Sequence, residues 1–401
     1  MFEKLLALAR DSLRPDLSDE AFLDRLCQLE CKLTPDEIPE RDVTAFQSWL
    51  RASEFPGIEQ IGFSSSPDKG YGLCFQRDIK AGERCLQVPR QFMLSESEFQ
   101  TSPISALFAE DPIMAMLPSL KLAMVVILEQ AKGPASFWSA YIQMLPRSFS
   151  IPLYYNRHDW QWLKGTLAYT PALTIMKSLV RAYTHIYGKL SSADLLLSTL
   201  GFTWPRFLWA VGVAMTRQNA IPCPDGSRSE YTLIPVWDMC NHADGQVTTQ
   251  MNMETHCLET FAPRDVYSGD PFYMSYGYRS AQELFLYSGF VPSTIRPWDC
   301  VPLEIVLPLR DALFKLRSSL AMKVFGKAIK NFNLYRDWQA DENIPLRVMV
   351  RILTASANIL KNVDADLAAF MDRIQSAAEW PEDEEQKARD WLKLKLAVLV
   401  R

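Results

Sequence analysis

The stretch Trp237-Asp238-Met239-Cys240-Asn241-His242 decides the fold prediction for this chain of 401 residues. An apolar run, Ile234-Pro235-Val236, precedes it, and together they predict a strand that ends in a polar tip. An Asn and a His at a strand end commonly cap local backbone groups. A metal site is disfavoured, because this pair has no partner ligands at a recognised spacing. The polar tip therefore indicates a function only in combination with other segments of the sequence.

Two other segments supply those neighbours. Upstream, the two glycines of Lys69-Gly70-Tyr71-Gly72 let the backbone approach a ligand closely, although such a turn is ordinary on its own. Downstream, Tyr273-Met274-Ser275-Tyr276-Gly277 predicts a strand that ends at a Tyr-Gly turn. A single tyrosine in that place most often serves packing. The three segments are informative only together.

The order of helical and strand-like segments along the sequence predicts an α+β fold, in which blocks of helices alternate with short strands. Short strands are expected from Ile58 to Leu94, with a hairpin turn at Ile79–Glu83, and again at Tyr231–Trp237 and Pro271–Tyr276. Helices are expected before, between and after them. The predicted domains are an N-terminal helical region (1–55), a first part of a β-rich core (56–95), a helical insertion (96–204), a second part of the core (205–292) and a C-terminal helical domain (293–401).

Composition narrows the class of protein. Hydrophobic residues make up 48% and charged residues 22%, which is the balance of a soluble globular chain. The net charge of −5 argues against nucleic acid as the default partner, because phosphates select basic surfaces. The longest apolar stretch, Leu122–Leu128, is too short to span a membrane, and the N-terminus does not read as a secretory signal. The scattered cysteines form no CxxC pair, so we expect reduced thiols in the cytoplasm, with the nucleus left open.

In this order, the Gly-x-Gly turn, the Asn-His tip and the Tyr-Gly turn resemble the SET domain of protein methyltransferases. Met215-Thr216-Arg217-Gln218-Asn219, Trp237–His242 and Tyr276-Gly277-Tyr278-Arg279-Ser280 further resemble the SET-domain actin-histidine N-methyltransferases. Their plant relatives are the Rubisco large-subunit lysine methyltransferases. The resemblance covers roughly residues 40 to 292 and implies a monomer that methylates the tele nitrogen of an actin histidine. S-adenosylmethionine would be the cofactor, without a metal, and the helical tail would be a substrate-binding domain.

The resemblance also implies a cofactor site. Arg217 would face the methionine carboxylate, since a guanidinium can bind a carboxylate through two hydrogen bonds. Asp238 through His242 would hold the amino-acid and adenine ends. The cofactor-binding residues that it implies are Arg41, Lys69, Gly70, Tyr71, Arg217, Asp238, Met239, Cys240, Asn241, His242, Ser288, Gly289 and Phe290.

For the acceptor, the resemblance implies that Tyr276 is the active-site tyrosine and that Asn219 and Trp237 hold the imidazole. Arg279 and Arg181 would contact the substrate chain. One departure concerns pocket shape, because Met274-Ser275 stands where relatives carry larger apolar or aromatic residues. Two alternatives stay open: a lysine methyltransferase on the same fold, against which Asn219 argues, and an inactive actin-binding scaffold.

Overall fold

The computed structural model describes residues 1–29, 41–66, 69–116, 118–192, 196–245, 248–326, 330–337, 340–360, 367–376 and 379–399. The chain divides into two compact units, Met1–Val291 and Pro292–Arg401. This division falls one residue from the predicted boundary between residues 292 and 293.

The first unit begins with three short helices, and the second and third of them are capped by side chains. The Ser18 hydroxyl accepts from the backbone N–H of Ala21, and the Asp42 carboxylate accepts from that of Ala45. Each contact satisfies a donor that the first turn of a helix leaves unpaired. The helices are α1 (Phe2–Asp11), α2 (Asp19–Cys27) and α3 (Val43–Ala52).

Three small sheets form the β-rich part of this unit, with the orders β1-β2-β10-β7, β3-β9-β8 and β4-β6-β5. Strand β10 pairs in parallel with β7, which places Tyr273 opposite Asn241 and Met274 opposite His242. The polar tip and the Tyr-Gly turn are therefore neighbours in one sheet. The strands are β1 (Ile61–Ser66), β2 (Gly70–Phe75), β3 (Arg84–Pro89), β4 (Leu94–Ser95), β5 (Asn219–Pro222), β6 (Ser229–Leu233), β7 (Asn241–His242), β8 (Thr249–Asn252), β9 (Cys257–Phe261) and β10 (Pro271–Met274).

Two local predictions were wrong. Ile79–Glu83 is not a hairpin turn, because β3 pairs with β9 rather than with β2, and Ile79 bridges to Val266. The predicted strand through Trp237 ends at Leu233, and Trp237–Met239 forms a short 3-10 turn instead. Pro235 offers no N–H to a partner strand, which explains why pairing stops before it.

A helical block lies between β4 and β5. Its two predicted helices, Leu120–Gln130 and Trp204–Asn219, are observed with shifted ends, and the second stops at Arg217 because β5 begins at Asn219. The helices are α4 (Pro112–Met116), α5 (Pro118–Lys132), α6 (Ser139–Met144), α7 (Arg157–Leu163), α8 (Tyr169–Ser191), α9 (Leu196–Leu200) and α10 (Trp204–Arg217), and α11 (Ala281–Ser288) follows the last strand. Among the described residues, no helix is long and apolar enough to cross a membrane.

The second unit contains a two-stranded sheet that the sequence did not predict. Strands β11 (Cys300–Glu304) and β12 (Asn331–Tyr335) pair in antiparallel fashion, although Pro302 within β11 reads against a strand. The helices are α12 (Phe314–Phe325), α13 (Ile344–Thr354), α14 (Ala357–Leu360), α15 (Leu367–Gln375) and α16 (Glu382–Leu399). The side chain of Arg351, on α13, is fully buried and bonds to Glu385 on α16 at 2.7 Å.

Candidate active site

A cavity of about 420 Å³ opens where α10, β5, the 3-10 turn and the end of β10 meet. It brings together residues that lie far apart in the sequence. Six of the predicted site residues line it: Arg217, Asn219, Trp237, Asp238, Tyr276 and Arg279.

A buried charge cluster forms one side of this site. The Asp238 carboxylate accepts from the Tyr141 hydroxyl at 2.5 Å and lies 3.4 Å from Nη1 of Arg217. The same Nη1 donates to the Asp238 carbonyl at 2.6 Å. Burial raises the pKa of Asp238, and Arg217 and Tyr141 partly offset this shift. The carboxylate therefore depends on these two partners for its charge.

A second arginine makes the cluster cationic. Burial lowers the pKa of Arg41 to about 10, and the nearby positive charge of Arg217 contributes. Arg41 stacks over the Tyr71 ring at 5.2 Å from its centroid and donates to the carbonyl of Leu145. Within the described part of the chain, this cluster holds the guanidinium groups of Arg41 and Arg217 and the carboxylate of Asp238, so its net charge is positive and suits a carboxylate ligand.

The Gly-x-Gly turn and the Asn-His tip touch at Gly72. A Cβ atom built on Gly72 would lie 2.5 Å from the amide nitrogen of Asn241, well inside van der Waals contact. Glycine is therefore needed here for close approach. At Gly70 the need is different, because its φ of 65° is a left-handed conformation that glycine adopts freely.

Tyr276 is held from both ends. Its hydroxyl donates to the Cys240 carbonyl at 2.9 Å, and its backbone N–H donates to Nδ1 of His242 at 3.2 Å. Burial raises the pKa of Tyr276 to about 12, so the phenol stays protonated at neutral pH. The ring of Phe290 lies 6.3 Å from that of Tyr276 and 5.7 Å from that of His242.

Asn219 and Trp237 also line the cavity. The Asn219 side chain donates from Nδ2 to the Arg217 carbonyl at 3.1 Å, which leaves its oxygen as an acceptor. The Trp237 indole is buried and donates from Nε1 to the Thr249 hydroxyl at 3.3 Å. An amide with a free acceptor and an indole thus belong to the same cavity lining as Tyr276.

The remaining residues of the implied cofactor site vary in their placement. Met239 and Cys240 are buried, and burial raises the pKa of the Cys240 thiol, so this thiol is unreactive. Ser288 has a buried hydroxyl that makes no hydrogen bond within the described part of the chain. Gly289 ends α11 with φ of 79°. Lys69 is exposed and donates to the Tyr273 hydroxyl at 3.0 Å.

The structure separates the two arginines that were expected to contact the substrate chain. Arg279 lines the cavity beside Tyr276. Arg181 does not line it, because this residue on α8 donates to the hydroxyls of Ser12 and Ser178. Its observed contacts join α8 to the end of α1.

Sequence reasoning missed two residues of the site. Tyr141 holds Asp238, and Thr249 holds the Trp237 indole. Tyr141 lies in the segment Trp138–Pro146, which shares in the resemblance, but nothing in the local pattern separates it from a core tyrosine. Thr249 carries no local signal, because its role follows from strand pairing.

The chain has a three-dimensional counterpart in solved methyltransferase structures. The SET domain of LSMT bound to lysine and AdoHcy superposes with a TM-score of 0.70 at 19% identity, covering 91% of this chain and 82% of that one. Rubisco LSMT bound to AdoMet superposes with a TM-score of 0.69 at 21% identity, over 88% of this chain and 81% of that one. The chain has a SET fold.

Curated sequences extend this likeness beyond the SET fold itself. Over 267 residues the chain is 35% identical to the actin-histidine N-methyltransferase of Mus musculus and 34% identical to that of Homo sapiens. The matched region is 66% of this chain and 44% of each relative, so the match spans less than half of their length. No protein-family model matches the chain.

A metal site needs several His, Cys, Asp or Glu side chains close together. In the part of the chain that the structure describes, no set of three or more such side chains is placed to hold a metal ion. His242, the histidine of the polar tip, instead contacts Asp244 at 3.1 Å and accepts from Tyr276.

Proposed function

We propose that this chain transfers a methyl group from S-adenosylmethionine to the tele nitrogen of an actin histidine, as a cytoplasmic monomer. The actin-histidine N-methyltransferases with which it shares 34–35% identity support this substrate. The observation that carries the proposal is the position of Asn219, which lines the cavity together with Trp237 and Tyr276 and whose Nδ2 donates to the Arg217 carbonyl, so that its oxygen is left as an acceptor.

The buried polar and charged residues of this site fit S-adenosylmethionine as a ligand. Arg217 Nε and the Ser288 hydroxyl are buried and make no hydrogen bond to any described residue. Buried polar atoms of native proteins are rarely left without partners, so these atoms point to a polar ligand. The Arg41–Arg217 pair suits the carboxylate of its methionine end, and the glycine at 72 keeps the Asn241 amide in place. The bound cofactor would supply an electrophilic methyl group on its sulfonium.

The chemistry of the acceptor explains why an amide and an aromatic wall suffice. Imidazole has an ordinary pKa of about 6.5 and is mostly neutral at pH 7, whereas a lysine amine at about 10.4 must first lose a proton. The attacking ring nitrogen must carry the lone pair, so the other nitrogen carries the hydrogen. The Asn219 oxygen can accept that hydrogen, while Trp237 and Tyr276 confine the ring. The main contribution of the protein is then to align the imidazole nitrogen, the methyl carbon and the sulfonium sulfur.

Asn219→Ala tests this assignment. We expect turnover on an actin histidine peptide to fall roughly ten- to hundred-fold, because loss of the acceptor costs about 1–3 kcal/mol in tautomer and ring control. Affinity for S-adenosylmethionine, measured by calorimetry, should stay at the wild-type value. A histidine peptide that is methylated at the wild-type rate would remove Asn219 from the mechanism.

Arg279→Ala tests the docking of the substrate chain. Arg279 lines the cavity, so we expect peptide KM to rise about ten-fold through loss of a charge-assisted contact, without a change in cofactor affinity. Arg181→Ala is the matched comparison, because its observed contacts are within α8 and to Ser12. Equal losses of peptide and cofactor binding in Arg279→Ala would make this arginine structural.

The substrate itself is tested with labelled S-adenosylmethionine and separate preparations of actin, histones and cell lysate. Label on an actin histidine, located by mass spectrometry, is the expected result. Label on lysines would support the lysine methyltransferase instead, and wild-type protein that binds the cofactor but labels nothing would support an inactive scaffold.

A further inference from the structure

We propose that Thr249 and Thr260 are positioning residues that fix the indole of Trp237 through a chain of hydroxyl groups. The inference rests on the proposed function, because it names what holds one wall of the acceptor pocket. Neither threonine belongs to the residues that the sequence resemblance implied.

Strand pairing builds this chain of hydroxyls. The register of β8 and β9 places Thr249 opposite Thr260, and their hydroxyl oxygens lie 3.0 Å apart. The indole Nε1 of Trp237 lies 3.3 Å from the Thr249 oxygen. Thr260 is buried, whereas Thr249 also lines the cavity.

Donor and acceptor roles fix the first bond of this chain. An indole N–H can only donate, so the Thr249 oxygen must accept from Trp237. Between Thr249 and Thr260 either hydroxyl can donate, because each carries one hydrogen and two lone pairs. In both arrangements the Thr249 oxygen is held by Thr260 and the indole is held at Nε1.

The backbone fixes the other end of Trp237. Val236 has φ of 70° and ψ of −60°, and the N–H of Trp237 donates to the Pro235 carbonyl at 2.9 Å. This is a γ-turn of the strained kind, which a β-branched residue adopts only when its surroundings impose it. The turn sets the position of the Trp237 backbone but leaves the two side-chain torsions free. Packing of the buried ring restricts these torsions, and the bond to Thr249 adds a directional contact at Nε1.

The test compares Thr249→Val with Thr249→Ser, alone and in a Trp237→Phe background. We expect Thr249→Val to raise the KM for the histidine peptide roughly three- to ten-fold, the effect of losing one hydrogen bond, and Thr249→Ser to restore it. In Trp237→Phe the donor is absent, so Thr249→Val should add less than two-fold. Thr255→Val, at the turn between β8 and β9 and outside the cavity, should behave as the wild type.

A substrate-free readout separates this inference from the proposed function. The indole N–H resonance of Trp237, assigned by its loss in Trp237→Phe, should move upfield in Thr249→Val and stay in place in Thr249→Ser. An unmoved resonance, or equal effects of Thr249→Val with and without the tryptophan N–H, would overturn the inference. Should the wild type methylate no histidine peptide, the proposed function fails and the resonance alone decides the role of Thr249.

Discussion

Gly72→Ala is expected to weaken S-adenosylmethionine binding by roughly a hundred-fold while the chain stays folded. The added Cβ would lie 2.5 Å from the Asn241 amide nitrogen, so that amide must move. The cost combines local overpacking with the loss of the contact that the Asn241 amide is expected to make with the cofactor, and we expect about 3 kcal/mol in total. That free energy corresponds to a factor of about one hundred in Kd.

Calorimetry with S-adenosylmethionine measures this effect directly. Gly188→Ala is the matched control, since a Cβ there meets nothing within 4 Å and the residue lies inside α8. Asn241→Ala should weaken binding by more than ten-fold through the same amide. Unchanged affinity in Gly72→Ala, with an intact fold, would show that the contact between the Gly-x-Gly turn and Asn241 does not form part of the cofactor site.

Arg351→Met should lower the free energy of unfolding of the second unit by about 3–5 kcal/mol. The Arg351 side chain is fully buried and donates to Glu385 and to the carbonyls of Ile374 and Ser376. Removing the guanidinium leaves a buried carboxylate with a weaker partner, because Arg389 lies 3.8 Å away. Desolvation of that charge supplies most of the cost.

Amide hydrogen exchange along α13 in the full chain reports this loss, and denaturant unfolding confirms its size. Lys330→Ala provides the comparison, because the Lys330–Glu304 pair in the same unit is mostly exposed. Exposed pairs contribute little to stability, because water screens the charges and both side chains lose freedom. A loss for Arg351→Met no larger than that for Lys330→Ala would show that the buried pair is not a main stabilising contact.

The sequence predicted the parts of the fold that are encoded locally. The residue types and spacing around Gly70, Asn241 and Tyr276 identify the three motifs in the sequence. The observed pairing of β7 with β10 brings Asn241 beside the strand that leads into Tyr276. The SET fold was predicted from these motifs and is confirmed by the solved structures.

Features that depend on distant partners could not be read from the sequence. Only helices were expected after residue 292, yet β11 forms there because β12 pairs along it. The apolar run before Trp237 read as a strand, whereas Val236 is held in a γ-turn by its surroundings. In the sequence, nothing distinguishes Tyr141 or Arg181 from other residues of the helical block. Only the tertiary structure shows that Tyr141 bonds to Asp238, whereas Arg181 bonds to Ser12.

The helical block between β4 and β5 leaves one sheet and returns to it at the same residue position along the sheet. Ser95, the last residue of β4, and Asn219, the first of β5, both pair with Thr232 of the strand between them. Two strand spacings, about 10 Å in all, therefore separate the exit from the return. A short loop can close that gap, so the sheet itself does not fix the size of the block. The block nevertheless carries Arg217 and Tyr141, which contact Asp238, and Asn219 follows directly after it. Its internal packing therefore sets the position of the buried charge cluster and of Asn219 at the same time.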